Sequence, residues 1–382
     1  MPPAIHYVSH GYTSGYGVAG FRLLQALDRA GVSLRWSPIA FDSARLGLPE
    51  GQQVRAYLRH LREAPVDADV VIVHAVPEMI PAVRERFGIP RSTPVLCHTV
   101  WETDRLQAHW AGLLNDCDGV IVPTAWNAEV FRASGVHVPI AVVPHVRDDL
   151  DRASDDAWLR ELGDRFLVYS VAAWDGRKAP WRAMEAVGAA FPGDHDVVYV
   201  LKTDERTRDY DPRFGGTGPR RHDTMIAVAR LLGELGSRAP QVQLVTRYLY
   251  DREVRGLHQR GDVWCSLPHA EGWDVGAFDA AVTGTPVVTT GWGAPAEYLD
   301  PTLSQLVPGR IVDVQVPPHP PEPEHHWVEP DLDAAVDALR WARDHHDEAG
   351  ARAAAQADRL RARYAPDVVA RELLDAVSHL LA

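Results

Sequence analysis

Short runs rich in Val and Ile recur along the chain, with segments of helical character between them. One series covers residues 4–9, 32–39, 69–74, 94–99, 119–123 and 140–144. A second series begins after the acidic, poorly periodic stretch 147–156 and covers residues 165–172, 196–203, 242–248, 262–268 and 286–290. Near-continuous apolar runs suit parallel strands that helices bury on both faces. The alternation predicts two doubly wound, Rossmann-like α/β domains with ligands at the carboxyl ends of the strands.

Length and charge narrow the class of protein further. A chain of 382 residues suits two domains with separate cores. No apolar run approaches the ~20 residues of a membrane span, and the first fifteen residues do not resemble a signal peptide. Cys97, Cys117 and Cys265 are far apart and odd in number, which argues against a disulfide framework or a metal knot. The net charge of −13 argues against nucleic acid and anionic membrane as main partners. We expect a cytoplasmic protein without stable membrane insertion.

A glycine-rich turn follows the first predicted strand, at residues 11–17, and a helix is predicted over residues 18–30. Gly15 and Gly17 would let backbone amides approach a phosphate, although a tight turn without a ligand fits equally well. With Gly20 the spacing formally matches the dinucleotide fingerprint. The acidic residue expected at the end of the second strand is missing, so NAD binding is the minor interpretation.

Lysine is nearly absent from this arginine-rich chain. The two lysines are Lys178 and Lys202. Codon bias would explain the replacement of surface lysines by arginine, but not the two that remain. A compact ammonium group is a common phosphate ligand that arginine does not reproduce. Both lysines are therefore predicted to bind an anionic ligand.

Residues 269–290 contain a predicted helix that begins near Gly276 and a pair of acidic side chains eight positions apart. Glu271 precedes the helix, and Asp279 is predicted to lie in its first turn. The helix N-terminus offers free N–H groups to an anion. Capping would account for an aspartate there, but not for the Glu-Gly-Trp turn before it.

This stretch resembles the Glu-x7-Glu signature of retaining GT-B glycosyltransferases, the group that includes bacterial mannosyltransferases and sucrose synthases. The resemblance implies that Glu271 contacts the donor sugar and that Asp279 holds the ribose. Asp274 stands where the family has glycine, and Asp279 stands where it has glutamate. The resemblance also implies two domains facing each other across a cleft, with domains at residues 1–150 and 151–364 and a last helix, 365–382, crossing back to the first. The residues implied to bind the donor are Gly15, Gly17, Arg177, Lys178, Lys202, Gly272, Trp273, Asp274 and Asp279.

The basic pair Arg177 and Lys178 resembles the family's Arg-Lys-Gly element, whose cations neutralise the donor diphosphate. Ala179 replaces the glycine, and Ala172 falls where the family has a further arginine, whose charge Lys202 could supply. A surface ion pair with Asp175 is the alternative for Arg177. Fixed cations stabilise a departing diphosphate without a metal.

In the first domain, His98-Thr99 matches a His-Thr pair that the family often carries near the donor sugar and acceptor. Trp101 and Glu102 follow and are predicted to bind the acceptor, whereas a purely structural histidine at position 98 is an equal alternative. Thr124 is predicted to cap a helix in the segment 123–135. The loop 293–297 resembles the family's late G-x-P-E loop and is expected to border the nucleotide.

Together these motifs predict a retaining, metal-independent glycosyltransferase that needs no cofactor and uses a nucleoside-diphosphate sugar. The implied catalytic residues are His98, Glu271 and Lys178. A small soluble acceptor such as an aminocyclitol is expected, and a polysaccharide or lipid-linked sugar is the alternative. A phosphorylase, an epimerase and a non-catalytic sugar-nucleotide-binding protein are the competing functions. Residues 209–221 are expected to form a lid or a disordered insertion, residues 317–330 an extended connector, and residues 331–343, 348–363 and 366–381 helices.

Overall fold

Two parallel six-stranded sheets organise the chain. The computed structural model describes residues 2–11, 14–39, 52–147, 152–207, 223–314 and 325–381. The chain divides into two compact units, one of residues 1–151 with 361–382 and one of residues 152–360. Each unit contains one of the sheets, so the prediction of two parallel α/β domains is confirmed. No helix in these described ranges has the length and apolarity that a bilayer crossing requires.

The first unit contains a parallel sheet of order β2-β1-β3-β4-β5-β6. Its strands are β1 (Ile5–Ser9), β2 (Leu34–Pro38), β3 (Val70–His74), β4 (Val95–His98), β5 (Gly119–Val122) and β6 (Ile140–Val142). The helices between them are α1 (Gly15–Arg29), α2 (Gln52–Glu63), α3 (Ile80–Arg86), α4 (Ala108–Asn115) and α5 (Ala125–Ala133).

Both faces of this sheet are buried. Along β3, Val70 and Ile72 belong to one apolar cluster, and Val71 and Val73 belong to another. Successive side chains of a strand point to opposite faces, so the two clusters lie on opposite sides of the sheet. This two-sided burial explains why the strands read as continuous apolar runs in the sequence.

The second unit contains a parallel sheet of order β12-β11-β10-β7-β8-β9 and an antiparallel pair, β13 and β14. Its strands are β7 (Phe166–Val171), β8 (Val197–Lys202), β9 (Val242–Val245), β10 (Val263–Ser266), β11 (Val287–Thr290), β12 (Gln305–Val307), β13 (Gly309–Asp313) and β14 (His326–Pro330). Its helices are α6 (Pro180–Ala190), α7 (Thr224–Leu235), α8 (Asp251–Arg260), α9 (Val275–Thr283), α10 (Pro295–Tyr298), α11 (Leu332–Asp344) and α12 (His346–Arg363).

The strand order of the second sheet reverses between β7 and β10. From β7 the chain proceeds outward through β8 and β9, and from β10 it proceeds outward through β11 and β12 on the other side. The loops that leave β7 and β10 therefore diverge at their carboxyl ends and leave a crevice. Ligands of doubly wound sheets bind at such a switch point.

The last helix, α13 (Pro366–Leu380), belongs to the first unit. Its buried side chains Val369, Leu373 and Val377 join the apolar cluster that contains Ile5 and Leu24. A helix from the end of the chain thus completes the core on one face of the first sheet.

Helix α1 begins three residues before the predicted start at residue 18. Ser14 is its N-cap, and the Ser14 hydroxyl accepts the N–H of Gly17 at 3.1 Å. Gly15 and Gly17 consequently lie in the first turn of the helix, not in a turn that precedes it. A serine N-cap satisfies a free N–H of the first helical turn, which favours the earlier start.

Three strands were not predicted. Strand β12 has three residues and extends the second sheet, and β13 pairs with β14, which lies in the segment predicted to be a connector. The prediction of a connector over residues 317–330 is therefore wrong for residues 326–330, because they form a paired strand. Residues 315–324 and the predicted lid at residues 209–221 lie outside the described ranges.

Candidate functional site

The loop that leaves β7 presents Arg177 and Lys178 at the switch point. Asp175 organises the loop, because its carboxylate accepts the N–H of Lys178 at 2.7 Å and its carbonyl accepts the N–H of Ala179 at 3.0 Å. Ala179 is buried and adopts a φ of 40°, in the left-handed region that favours glycine. The Arg-Lys-Gly element that this pair resembles has glycine at the same position, the residue type that adopts such a backbone most readily.

Glu271 follows β10 and meets both cations. One carboxylate oxygen, Oε1, pairs with Nζ of Lys178, and the other, Oε2, lies 3.1 Å from a guanidinium nitrogen of Arg177. The side chain of Glu271 is 5% exposed, whereas those of Arg177 and Lys178 are 25% and 22% exposed. The structure thus joins these three sequence-predicted residues, and each cation keeps an open face. The alternative ion pair of Arg177 with Asp175 is replaced by the pair with Glu271.

Electrostatics keep Glu271 ionised. Burial opposes its charge, but the nearby charges of Lys178 and Arg177 and their hydrogen bonds outweigh burial and lower the pKa of Glu271. Two cations with partly exposed side chains converge on this one carboxylate. An anionic ligand is the natural partner of such a group.

The late loop around Gly293 supports the backbone of Glu271. Ala294 donates its N–H to the Glu271 carbonyl at 3.2 Å. Gly293 has a φ of 69°, and a Cβ atom there would lie 2.6 Å from the same carbonyl. The loop predicted to border a nucleotide thus directly contacts the backbone of the central carboxylate.

Asp274 is the N-cap of α9. It adopts a φ of 61°, and its Oδ1 accepts the N–H of Ala277 at 3.4 Å. Its Oδ2 is buried and has no hydrogen-bond partner within the described ranges. Burial and, after it, the charge of Glu271 raise the pKa of Asp274 to about 6. The motif that this stretch resembles has glycine at this position, and Asp is one of the few other residues that tolerate a left-handed backbone.

Asp279 lies one residue further into α9 than the sequence predicted. The helix begins at Val275, so Asp279 is its fifth residue and is 5% exposed. Trp273 is 3% exposed and packs against Phe278 and Tyr298. Gly272 is also buried. The donor-binding roles of Asp279, Gly272 and Trp273 stay predictions, and the structure gives Trp273 a clear packing role.

Lys202 ends β8, beside Val171 of β7. Its ammonium group donates to the Thr203 carbonyl at 2.7 Å. The side chain is partly buried. That Lys202 supplies the charge of the arginine that Ala172 replaces in the motif stays a prediction.

In the first unit, His98 ends β4 and its ring stacks on that of His74, with the centroids 3.9 Å apart. His98 has no exposed surface, and neither ring nitrogen has a hydrogen-bond partner among the described residues. Burial, followed by the charge of His145, lowers the pKa of His98 well below its ordinary value. His98 is therefore a neutral core ring here, and its contact with a sugar stays a prediction.

The predicted acceptor residues differ in exposure. Trp101 is 3% exposed and packs edge-on against Trp110, and its indole N–H donates to Thr103 at 2.7 Å. Glu102 is only partly buried and lies near Tyr16, whose pKa is raised by burial and then by the Glu102 charge. Thr124 accepts the N–H of Asn127 at 3.1 Å, which confirms the predicted N-cap of α5.

Two supporting residues were missed from the sequence. His269 and Glu329 bond to each other at 3.0 Å, and His269 also bonds the loop that carries Arg177. His269 begins the stretch 269–290, but a lone histidine carries little information. Glu329 lies in the segment predicted to be a connector. The Asp175 turn had a readable signal, because an Asp in a loop often accepts a backbone N–H of its own turn.

Comparison with solved structures identifies the architecture of the chain. A UDP-forming α,α-trehalose-phosphate synthase from Burkholderia xenovorans aligns over 100% of both chains with 15% identity and a TM-score of 0.66. HepE from Anabaena, solved with UDP and glucose, aligns over 99% of this chain and 100% of its own with 12% identity and a TM-score of 0.65. The fold is GT-B.

Another GT-B structure, TarM from S. aureus in complex with UDP and α-GlcNAc-glycerol, matches with 12% identity and a TM-score of 0.56. That match covers 80% of this chain and 55% of TarM. No protein-family model matches the sequence, and no curated protein sequence does so. At these identities the GT-B likeness establishes the architecture, and the function must be argued from the side chains.

Proposed function

We propose that this chain is a glycosyltransferase that moves a sugar from a nucleoside-diphosphate donor to an acceptor hydroxyl, with retention of the anomeric configuration and without a metal. One observation carries the proposal: Arg177 and Lys178 converge on Glu271 at the switch point of the second sheet. Two GT-B neighbours, TarM and HepE, were solved with UDP, which makes UDP the first nucleotide to test.

Arg177, Lys178 and Glu271 would have different roles in such a transfer. A leaving diphosphate gains negative charge as the sugar departs, and the open faces of Arg177 and Lys178 would stabilise it. Glu271 would exchange part of its pairing with these cations for the sugar hydroxyls. In a retaining transfer the leaving phosphate oxygen would take the proton of the acceptor hydroxyl. No protein nucleophile is required in that route.

The acceptor in this proposal is a small soluble compound with a cationic group, such as an aminocyclitol. Glu102, in the first unit, is only partly buried and supplies a negative charge. An acceptor whose masked amines leave the rate of glycosylation unchanged would contradict this part. The departures Asp274, Asp279 and Ala172 from the related motif favour a sugar-nucleotide-binding protein without turnover as the second candidate.

The decisive experiment is calorimetry with UDP, GDP, dTDP and ADP, on the natural chain and on Lys178→Ala. We expect one diphosphate to bind, and the substitution to weaken binding by roughly tenfold to a hundredfold, since a charge-assisted contact contributes about 1.5–3 kcal/mol. Arg230→Ala is the matched control, because it removes a cation from an exposed pair with Glu234.

Equal affinity in the natural chain and in Lys178→Ala would contradict the diphosphate site. Binding without turnover of any sugar donor, across varied acceptors, would favour the second candidate. Sugar transfer with measured anomeric configuration in the product tests the retaining route.

A further inference from the structure

His269 joins three segments of the second unit. Its N–H donates to the Arg177 carbonyl at 2.8 Å, and its carbonyl accepts the N–H of Val328 at 3.0 Å. Its ring stacks on Trp327 with the centroids 4.6 Å apart and the planes 18° apart. The side chain thus lies between the loop of the two cations and strand β14, and the residue is 7% exposed.

Both ring nitrogens of His269 face hydrogen-bond acceptors. Nδ1 lies 2.8 Å from the carbonyl oxygen of Gly176, and Nε2 lies 3.0 Å from a carboxylate oxygen of Glu329. A neutral imidazole has one N–H and can satisfy only one acceptor, whereas an imidazolium has two. When Glu329 is ionised, both hydrogen bonds can form only if both ring nitrogens carry a proton.

The surroundings keep Glu329 ionised. Its other oxygen pairs with Arg182 of α6, and Arg310 of β13 is its cross-strand neighbour. Burial raises the pKa of Glu329, but the His269 hydrogen bond and the charges of Arg182, His269 and Arg310 together lower it. The carboxylate thus stays an acceptor near neutral pH.

We propose that His269 is a positioning residue, doubly protonated and held by Glu329, that fixes the Gly176 backbone and so aims Arg177 and Lys178 at the donor diphosphate. The inference rests on the proposed function for the identity of the ligand. It assigns to β14 a part in donor binding, although Glu329 itself contacts neither cation of the Arg177–Lys178 pair.

Loss of one ring proton has a defined consequence. The neutral ring keeps the proton on Nε2, because the bond to an ionised carboxylate is the stronger one. The Nδ1 lone pair then faces the Gly176 carbonyl, and the two acceptors repel each other. The loop keeps its backbone bond from His269 to Arg177 but loses the side-chain bond, so donor affinity falls as pH rises.

The charged groups around the ring are few. Glu329 faces it from β14, Arg310 and Arg182 reach Glu329 from β13 and α6, and Glu271 follows two residues later with its partners Arg177 and Lys178. Only Glu329 contacts the ring as a charged side chain in the described ranges. Its substitution should therefore remove the effect.

The test compares the natural chain with Glu329→Gln. The glutamine amide can donate to an Nε2 lone pair, so a neutral ring keeps its Nδ1 proton for Gly176. Calorimetry with UDP-glucose, whose phosphates do not titrate between pH 7 and 9, gives the affinity. We expect the affinity of the natural chain to fall about tenfold across the pH range in which NMR shows the ring losing one proton, the effect of one hydrogen bond. Glu329→Gln should change by less than about twofold.

Glu185→Gln is the matched control. Glu185 pairs with Arg182 at 3.0 Å, at the other end of the same network, and does not touch the ring. Its pH profile should follow that of the natural chain. A merely structural role for the His269–Glu329 pair would lower thermal stability in Glu329→Gln and leave the two pH profiles parallel, which overturns the proposal.

Nitrogen-15 NMR of the His269 ring in the natural chain is a second measurement, which requires neither a donor nor a folded variant. Two protonated ring nitrogens at pH 7 support the proposal, and a neutral ring overturns it. If the protein binds no nucleoside diphosphate at any pH, the proposed function fails. The NMR measurement then still tests the protonation of the His269–Glu329 pair by itself.

Discussion

At the scale of single residues, Asp274 combines two opposing demands. Its carboxylate caps α9, yet the same group is buried close to the charge of Glu271. The folded protein holds the Asp274 proton more tightly than the unfolded chain does. Stability therefore falls as pH rises from the ordinary pKa of 3.8 to about 6, and the full penalty is present above that range.

Asp274→Asn should remove this penalty. Asparagine caps helices and tolerates the left-handed backbone, so the local geometry persists. We expect a gain in unfolding free energy of up to about 3 kcal/mol at pH 7.5 and little gain at pH 4. Urea unfolding at the two pH values measures it. Asp223→Asn at the exposed N-cap of α7 is the control, and equal gains by Asp274→Asn at both pH values would contradict the assignment.

Strand order and the family resemblance together identified the central group of the second unit. Glu271, Arg177 and Lys178 follow two predicted strands, and parallel strands bring their carboxyl ends together. The backbone angles at Asp274 and Ala179 were not predictable, since neither residue type requires a positive φ. His269 and Glu329 escaped prediction because they lie 60 residues apart in sequence and Glu329 is on a strand that was not predicted.

At the scale of elements, α9 lies close on the second sheet because of one glycine. A Cβ atom at Gly276 would lie 2.3 Å from Cη2 of the fully buried Trp264. The ring has no room to yield in a close-packed core. This contact sets the position of the helix whose N-terminus carries Asp274.

Gly276→Ala should therefore destabilise the protein, by about 1–3 kcal/mol. Gly233→Ala in α7 is the matched variant, because no atom lies within 4 Å of the added Cβ. Alanine favours an exposed helix, so it should add about 0.5–1 kcal/mol. Denaturant melts of both variants measure the contrast. If both changes shift stability in the same direction, the close approach of α9 does not limit the fold.

Elements differed in how well the sequence predicted them. The ends of the central strands were predicted to within three residues, because burial on both faces leaves a continuous apolar run in the sequence. Strand β13 is mostly exposed, and β12 has only three residues, so neither leaves such a run. Helix α1 was predicted to start late because the glycines suggested a turn, whereas the Ser14 cap determines its start.

At the scale of the whole molecule, α13 links the end of the chain to the first unit. Leu373 has no exposed surface and belongs to the cluster that covers β1 and β3. The core of the first unit is thus incomplete without residues that follow the whole second unit in sequence.

Leu373→Ala should cost about 2–5 kcal/mol of stability through the cavity it leaves. Hydrogen exchange should show lost protection in β1 and β3 and unchanged protection in β7 and β8. Arg371→Ala is the control, because Arg371 lies on the same helix and its side chain is 67% exposed. Equal loss of protection in both sheets would show that the cavity acts on more than the first unit.

The position of α13 also orders events during synthesis. The ribosome releases β1 to β6 first, but the helix that covers one face of their sheet emerges only after the second unit has been translated. During that interval an apolar surface of the nascent first unit has no partner, whereas the second unit has its whole sheet and its own helices available. The second unit is therefore free to complete its core first, and the growing chain presents chaperones with an open sheet face until its last turn of helix leaves the exit tunnel.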